Sequence, residues 1–212
     1  MSATRITLIR HGETEWNRAM QLQGHQDSPL TENGIRQAEL LAETLKGKSF
    51  DALLSSDLER ARRTAQIINK HLQLTHSENK SLRERSFGKV ESLTLDEIML
   101  KYPEVFQAYL DRNLYFEIPG GESLFQFNQR VIEGIQELAK QFRGKHLLVV
   151  AHGGVLDCVI RKIFRFPVDS ERCFSVYNTS VNTISVNDDL WKLEEWGNTC
   201  HLNHTPVLNE IR

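Results

Sequence analysis

No stretch limits the folds open to this chain more than Ile6-Thr7-Leu8-Ile9-Arg10-His11-Gly12-Glu13-Thr14. An apolar, β-branched run breaks off at Arg-His-Gly, so a buried strand delivers a guanidinium, an imidazole and a flexible backbone just beyond its end. In open α/β sheets that carboxyl edge is where ligands bind. Placed there, Arg10 presents a permanently charged planar fork suited to phosphate, and His11 an imidazole that can be neutral and nucleophilic near pH 7. The pair reads as a phosphate site with a nucleophile inside it. The plainer alternative is an ion pair at a strand end with His11 as a satisfied histidine, and the rest of the chain has to decide between them.

Composition narrows the class without naming it. The 212 residues suit one domain with a substantial sheet-and-helix core. The 26 basic and 28 acidic residues leave a net charge of -2, so no global field favours nucleic acid or an anionic membrane, and any anion site must be local. Cys158, Cys173 and Cys200 are widely spaced and odd in number, which fits reduced thiols better than a disulfide framework. Met1-Ser2-Ala3-Thr4-Arg5 opens no signal-like apolar run, and no run reaches membrane-spanning length. These features read as a cytoplasmic protein with neither nucleic-acid nor membrane partners.

Further along, Gln21 to Pro29 is rich in turn formers and amides and reads as a loop. Thr31 caps a helix to about Leu45, and Ile35, Ala38, Leu41, Ala42 and Leu45 form its apolar face. Phe50 to Ser55 is a short strand, after which Ser56 or Asp57 can cap a helix reaching about His71. Arg60 then stands near a helix N-terminus, where free amides and the dipole favour an anion. One more short strand falls between Leu72 and Leu82, ahead of Arg83-Glu84-Arg85. Taken alone, a glutamate between two arginines is a solvated ion pair. Leu95, Ile98, Met99, Tyr102, Phe106, Tyr109 and Leu110 keep helical spacing across Pro103 and read either as core packing or as a helical flap over a site. A turn at Pro119-Gly120-Gly121 leads to a helix over about Ser123 to Phe142, with Val131, Ile135, Leu138 and Phe142 buried. Lys145 to Ala151 is the most apolar strand and ends in His152-Gly153-Gly154. Alternation from Thr179 to Val186, and again from Leu190 to Glu194, predicts a hairpin turning at Asn187-Asp188-Asp189. Cys200-His201 with His204 is a weak metal pattern, better read as a polar tail.

Three strand ends therefore carry chemistry, and a doubly wound sheet would bring them to one edge. Two arginines, two imidazoles and backbone amides then suit a phosphate dianion. A neutral His11 can attack phosphorus while Arg10, Arg60 and a protonated His152 stabilise the charge, a scheme that calls for no metal or cofactor.

The motifs Arg10-His11-Gly12-Glu13-Thr14, Ser55 to Ala61, Leu82 to Gly88 and Ala151-His152-Gly153 together resemble the histidine phosphatase superfamily, the phosphoglycerate-mutase-like fold, over nearly the whole chain. The resemblance implies an α/β fold, a three-layer α/β/α sandwich on a mostly parallel doubly wound sheet with a small inserted helical flap. It implies one domain over residues 1–212, with the flap at about 88–122. It further implies that His11 becomes phosphohistidine, that Arg10, Arg60 and His152 hold the phosphoryl group, and that Glu84 is general acid and then base. Contacts to phosphate or substrate would come from Asn17, Gln23, Gly24 and Gly153. Glu84 as an acid needs a raised pKa, which Arg83 and Arg85 oppose unless they point away. The short flap and tail favour a phosphatase of small phosphomonoester metabolites over a cofactor-dependent phosphoglycerate mutase, and both over a non-catalytic phosphate-binding module. Ser92 departs from the glycine many relatives carry after the glutamate at that point. A homodimer stays open, as does the identity of the metabolite.

Overall fold

Alternation along the first strand divides the core in two. In β1 (Thr4–Arg10), Ile6 and Leu8 face one side of the sheet and Ile9 the other; in β4 (His146–Ala151), Leu147 and Val149 oppose Leu148 and Val150 in the same way. Both faces are apolar, so both must be covered. The structure, a computed structural model, describes residues 2–202 together with Thr205 and Leu208. The sheet order is β3-β2-β4-β1-β5-β6, with β2 (Ala52–Ser55), β3 (His76–Glu78), β4 and β1 parallel, and β5 (Val181–Asn187) antiparallel to β1 and to β6 (Leu190–Asn198).

The helix α2 (Glu32–Leu45) packs with α3 (Glu59–Leu72) on one face, where Leu41, Leu45, Ala61, Ala65 and Ile68 meet Ile9, Leu53, Leu148 and Val150. On the other face α6 (Leu124–Gln141) and α7 (Gly153–Phe164) lay Phe127, Val131, Ile135, Leu138, Val155 and Val159 against Ile6, Leu8, Leu147, Val149 and Ile184. Each fully buried side chain of this size stabilises by about 1.5–3 kcal/mol. The result is the three-layer α/β/α sandwich expected from the sequence. After the short α1 (Glu15–Arg18), a third cluster forms where Leu22, Val90, Ile98, Val105 and Ile118 pack together. It is the core of the flap, whose helices α4 (Leu95–Lys101) and α5 (Pro103–Leu110) are split at Pro103, the first residue of α5. Ser92 adopts φ +70°, the left-handed region that glycine enters without strain, and donates its N–H to the Leu22 carbonyl at 2.7 Å. No helix among the described residues is long and apolar enough to cross a membrane.

Four local expectations are corrected. Neither Ser56 nor Asp57 caps α3: the N-cap is Leu58, and the Asp27 carboxylate, across the loop, accepts from the Glu59 N–H at 2.7 Å and the Arg60 N–H at 3.4 Å. Strand β5 begins at Val181 rather than Thr179, because Thr179 turns to φ +54° to donate its N–H to the Arg10 carbonyl. Phe142 is only half-buried, since α6 stops at Gln141 and leaves it as the cap. His201 is no tail residue: it is buried against the Thr179 hydroxyl, 3.2 Å away, while His204 lies outside the described residues.

Candidate active site

The carboxyl ends of β1, β2 and β4 lie side by side, so the backbone alone brings His11, the segment before Arg60 and His152 to one edge. The turn after β1 is tied on every side. His11 donates its N–H to the Ala151 carbonyl, Gly12 donates to the Thr64 hydroxyl at 3.0 Å, and the Asn178 amide donates to the His11 carbonyl at 2.9 Å. The His11 ring is 3% exposed, and its Nδ1 lies 2.8 Å from the Gly12 carbonyl oxygen. A carbonyl only accepts, so Nδ1 carries the proton and Nε2 keeps its lone pair. Burial, and then the charges of Arg60 and Arg10, hold the His11 pKa well below 6.5. At neutral pH the ring is an uncharged nucleophile with one nitrogen open.

Arg60 is 1% exposed and is clamped by the 21–29 loop. Its Nη1 donates to the Gln26 carbonyl at 2.9 Å and to the Asp27 carboxylate at 2.7 Å, and its Nη2 to the Gly24 carbonyl at 2.7 Å. Gly24 stands at φ +58°, and a Cβ there would run into the Glu91 carboxylate, so the loop requires glycine. Arg10 is anchored through Nη1 to the Val176 carbonyl at 2.7 Å and to that of Leu208 at 3.3 Å. Asn17 closes a capping box with Thr14 and is reached by the Asn178 amide at 3.4 Å. The Gln23 Oε1 is buried with no hydrogen-bond partner among the described residues.

His152 is fully buried, its ring centroid 5.3 Å from that of His11 and nearly edge-on to it. Neither ring nitrogen has a hydrogen-bond partner among the described residues. Burial, Arg60, His11 and Arg10 together hold its pKa well below 6.5. With the cleft empty the ring is therefore neutral, through burial first and the two guanidiniums next, so the proton that the sequence reading gives His152 is absent at rest. Glu84 is gripped by main-chain groups on both oxygens, Oε1 accepting from the Arg85 N–H at 2.8 Å and Oε2 from the Gly154 N–H at 2.9 Å. A Cβ on Gly154 would collide with that carboxylate, so glycine is required for Glu84 to approach α7. Arg83 does point away, onto the Asp57 carboxylate at 2.7 and 2.6 Å, and the Arg85 guanidinium turns to the Glu122 carbonyl at 3.1 Å.

These groups line one cleft of about 790 Å³, counting its open mouth. Arg10, His11, Asn17, Gln23, Gly24, Arg60 and Glu84 form its wall, whereas His152 lies beneath it and Gly154, rather than Gly153, faces it. Sequence reasoning missed Asp157, Arg172, Leu124 and Phe127, which also line it. Asp157 could have been found from its spacing, one helical turn beyond Gly154; the loop position of Arg172 carries no signal. Among the described residues no group of His, Cys, Asp or Glu side chains is placed to hold a metal ion.

This edge of the sheet, with its buried histidine pair, arginines and backbone-held glutamate, has a family counterpart. Residues 6–199 match the model of the histidine phosphatase superfamily, branch 1, and the chain belongs to that family. It is 36% identical over 208 residues to a protein named metal-independent phosphoserine phosphatase from Arabidopsis thaliana, covering 97% of this chain and 86% of that one. It is 33% identical to a protein named "Probable phosphoglycerate mutase GpmB" from Serratia proteamaculans, over 98% of both. Among solved structures, Bacillus stearothermophilus YhfR aligns with a TM-score of 0.88 at 32% identity, covering 94% of this chain and 100% of that one.

Proposed function

We propose that this chain is a phosphatase that hydrolyses small phosphomonoester metabolites through a phosphohistidine on His11. The observation that carries the reading is the His11 tautomer: Nδ1–H is fixed on the Gly12 carbonyl and burial keeps the ring neutral, so Nε2 is the attacking atom. Nε2 attacks phosphorus as the bond to the leaving oxygen breaks, and Glu84, as an acid, hands that oxygen a proton. The nonbridging oxygens take their donors from Arg10 and Arg60, with Asn17, Gln23 and the amides near Gly24 beside them. The neutral His152 ring donates one N–H and can gain a proton once the dianion offsets the two guanidiniums. Glu84, now a carboxylate, takes a proton from water; the water oxygen bonds to phosphorus as the P–N bond breaks, which releases inorganic phosphate and regenerates His11 and the Glu84 acid.

The relative named a phosphoserine phosphatase supports hydrolysis, and the one named a mutase keeps isomerisation as the alternative. Three free thiols, at Cys158, Cys173 and Cys200, accord with a cytoplasmic setting, and the partner is a small phosphorylated metabolite. The test is phosphate release from a panel including phosphoserine and 3-phosphoglycerate, in EDTA, coupled to an assay for 2-phosphoglycerate. Release that vanishes in His11→Ala is expected. Primer-dependent isomerisation without release would make the enzyme a mutase, and release retained in His11→Ala would remove the phosphohistidine.

A further inference from the structure

The cleft carries more positive charge than a phosphate monoester uses. Five guanidiniums, of Arg10, Arg60, Arg85, Arg112 and Arg172, line it against two carboxylates, Glu84 and Asp157, and a third, Asp27, pairs with Arg60 from behind. Among these residues that leaves two excess positive charges, which a phosphate dianion cancels. Arg161, buried behind the wall, adds another, and it draws on the same Asp157 that serves its neighbours. Asp157 accepts from the Arg161 Nε at 2.8 Å and the Arg172 Nε at 2.9 Å, and Arg112 stands 3.8 Å from it. One carboxylate thus faces three guanidiniums in a site where water screens little.

These cations sit away from the nucleophile. The cleft continues into a recess walled by Arg85, Arg112 and Arg172 with Tyr109, Leu110 and Leu124, a wall to which neither His11 nor Arg60 contributes. Glu171 also borders it but is exposed, so water screens its charge. The Arg112 side chain bridges from the flap to the Val168 carbonyl at 2.9 Å, while its Nε is buried without a hydrogen-bond partner among the described residues. Arg85 lies over the Phe87 ring, and burial presses its pKa down to about 10.

We propose that the recess walled by Arg85, Arg112 and Arg172 is a second anion subsite, which takes a carboxylate carried on the leaving-group side of the phosphomonoester. The proposal rests on the phosphatase reading for the word substrate, but the subsite itself can be tested without turnover. A single carboxylate matches the one charge left after phosphate binding, and its two oxygens match a guanidinium fork.

Calorimetric titration with three non-hydrolysable probes tests it: benzylphosphonate, its ring-carboxylated analogue and a matched bisphosphonate. The wild-type protein should bind the carboxylated probe about tenfold or more tighter than the plain one, the gain of a charge-assisted contact. Arg112→Gln and Arg172→Gln should each shrink that ratio, and Arg112→Lys should restore part of it, with thermal melting confirming that each variant is folded. Equal affinity for the plain and carboxylated probes overturns the subsite. A preference unchanged in both glutamine variants places it elsewhere and also overturns it, and tightest binding of the bisphosphonate overturns the carboxylate. Carboxylate preference in a protein that releases no phosphate from any ester would sustain the subsite and sink the phosphatase reading alone.

Discussion

The two Glu84 carboxylate oxygens accept from the main-chain N–H groups of Arg85 and Gly154, so the backbone on two sides of the cleft sets where the group stands. Its role as proton donor then depends on the ester. Glu84→Gln is expected to slow hydrolysis of alkyl phosphates by about 10²–10⁴-fold, the usual worth of general acid catalysis. For 4-nitrophenyl phosphate, whose leaving group departs without a proton, the loss in the first step should be far smaller. Steady-state and burst kinetics on both esters check this, and equal losses would remove Glu84 as the acid. The neighbouring Gly154 gives a second expectation at this scale. Gly154→Ala would push a methyl group into the Glu84 carboxylate, so kcat should fall while circular dichroism and melting stay near wild type. The sequence motifs carried His11, Arg10, Arg60 and Glu84 to the cleft. They named Gly153 where Gly154 faces it, because a one-residue offset at a helix start reverses nothing in the pattern.

Elements were legible where periodicity dictated them and illegible where a distant residue completes them. β1 and β4 follow from their apolar runs and α2 and α6 from helical spacing; Thr31, read as a cap, and Ser123, read as a helix start, each accept from the third residue beyond. The start of α3 does not, since its cap, Asp27, is 32 positions from Glu59. Asp27 joins two tasks, satisfying helix N–H groups and gripping Arg60. Asp27→Ala should therefore lower stability in urea unfolding by about 1–2 kcal/mol, the worth of a helix cap. It should also weaken phosphate binding, read as competitive inhibition by inorganic phosphate. Loss of stability with phosphate affinity unchanged would separate the cap from the anion site. In the flap, the Pro103 break was visible in the sequence, whereas the strained turn at Ser92 shows only in the backbone, at φ +70°.

Over the whole molecule, two buried neutral histidines couple folding to pH. The folded His11 and His152 pKa values lie well below 6.5, so between 6.5 and those values the unfolded chain binds more protons than the folded one. Stability should be constant above about pH 7 and fall as pH drops through 6.5, by up to ~1.4 kcal/mol per pH unit for each such group. Urea midpoints measured across pH 5–8 in wild type and His152→Asn check this, the variant showing the flatter acid limb; parallel limbs would contradict the neutral assignment of His152. The sheet order has a consequence for the making of the protein. Both neighbours of β1 come late in the chain, β4 at His146–Ala151 and β5 at Val181–Asn187. At roughly 5–20 residues per second of synthesis, the strand bearing the nucleophile waits on the order of ten seconds for its first partner. The residues that define the chemistry are among the first to leave the ribosome, yet they cannot form a site until most of the chain has followed them.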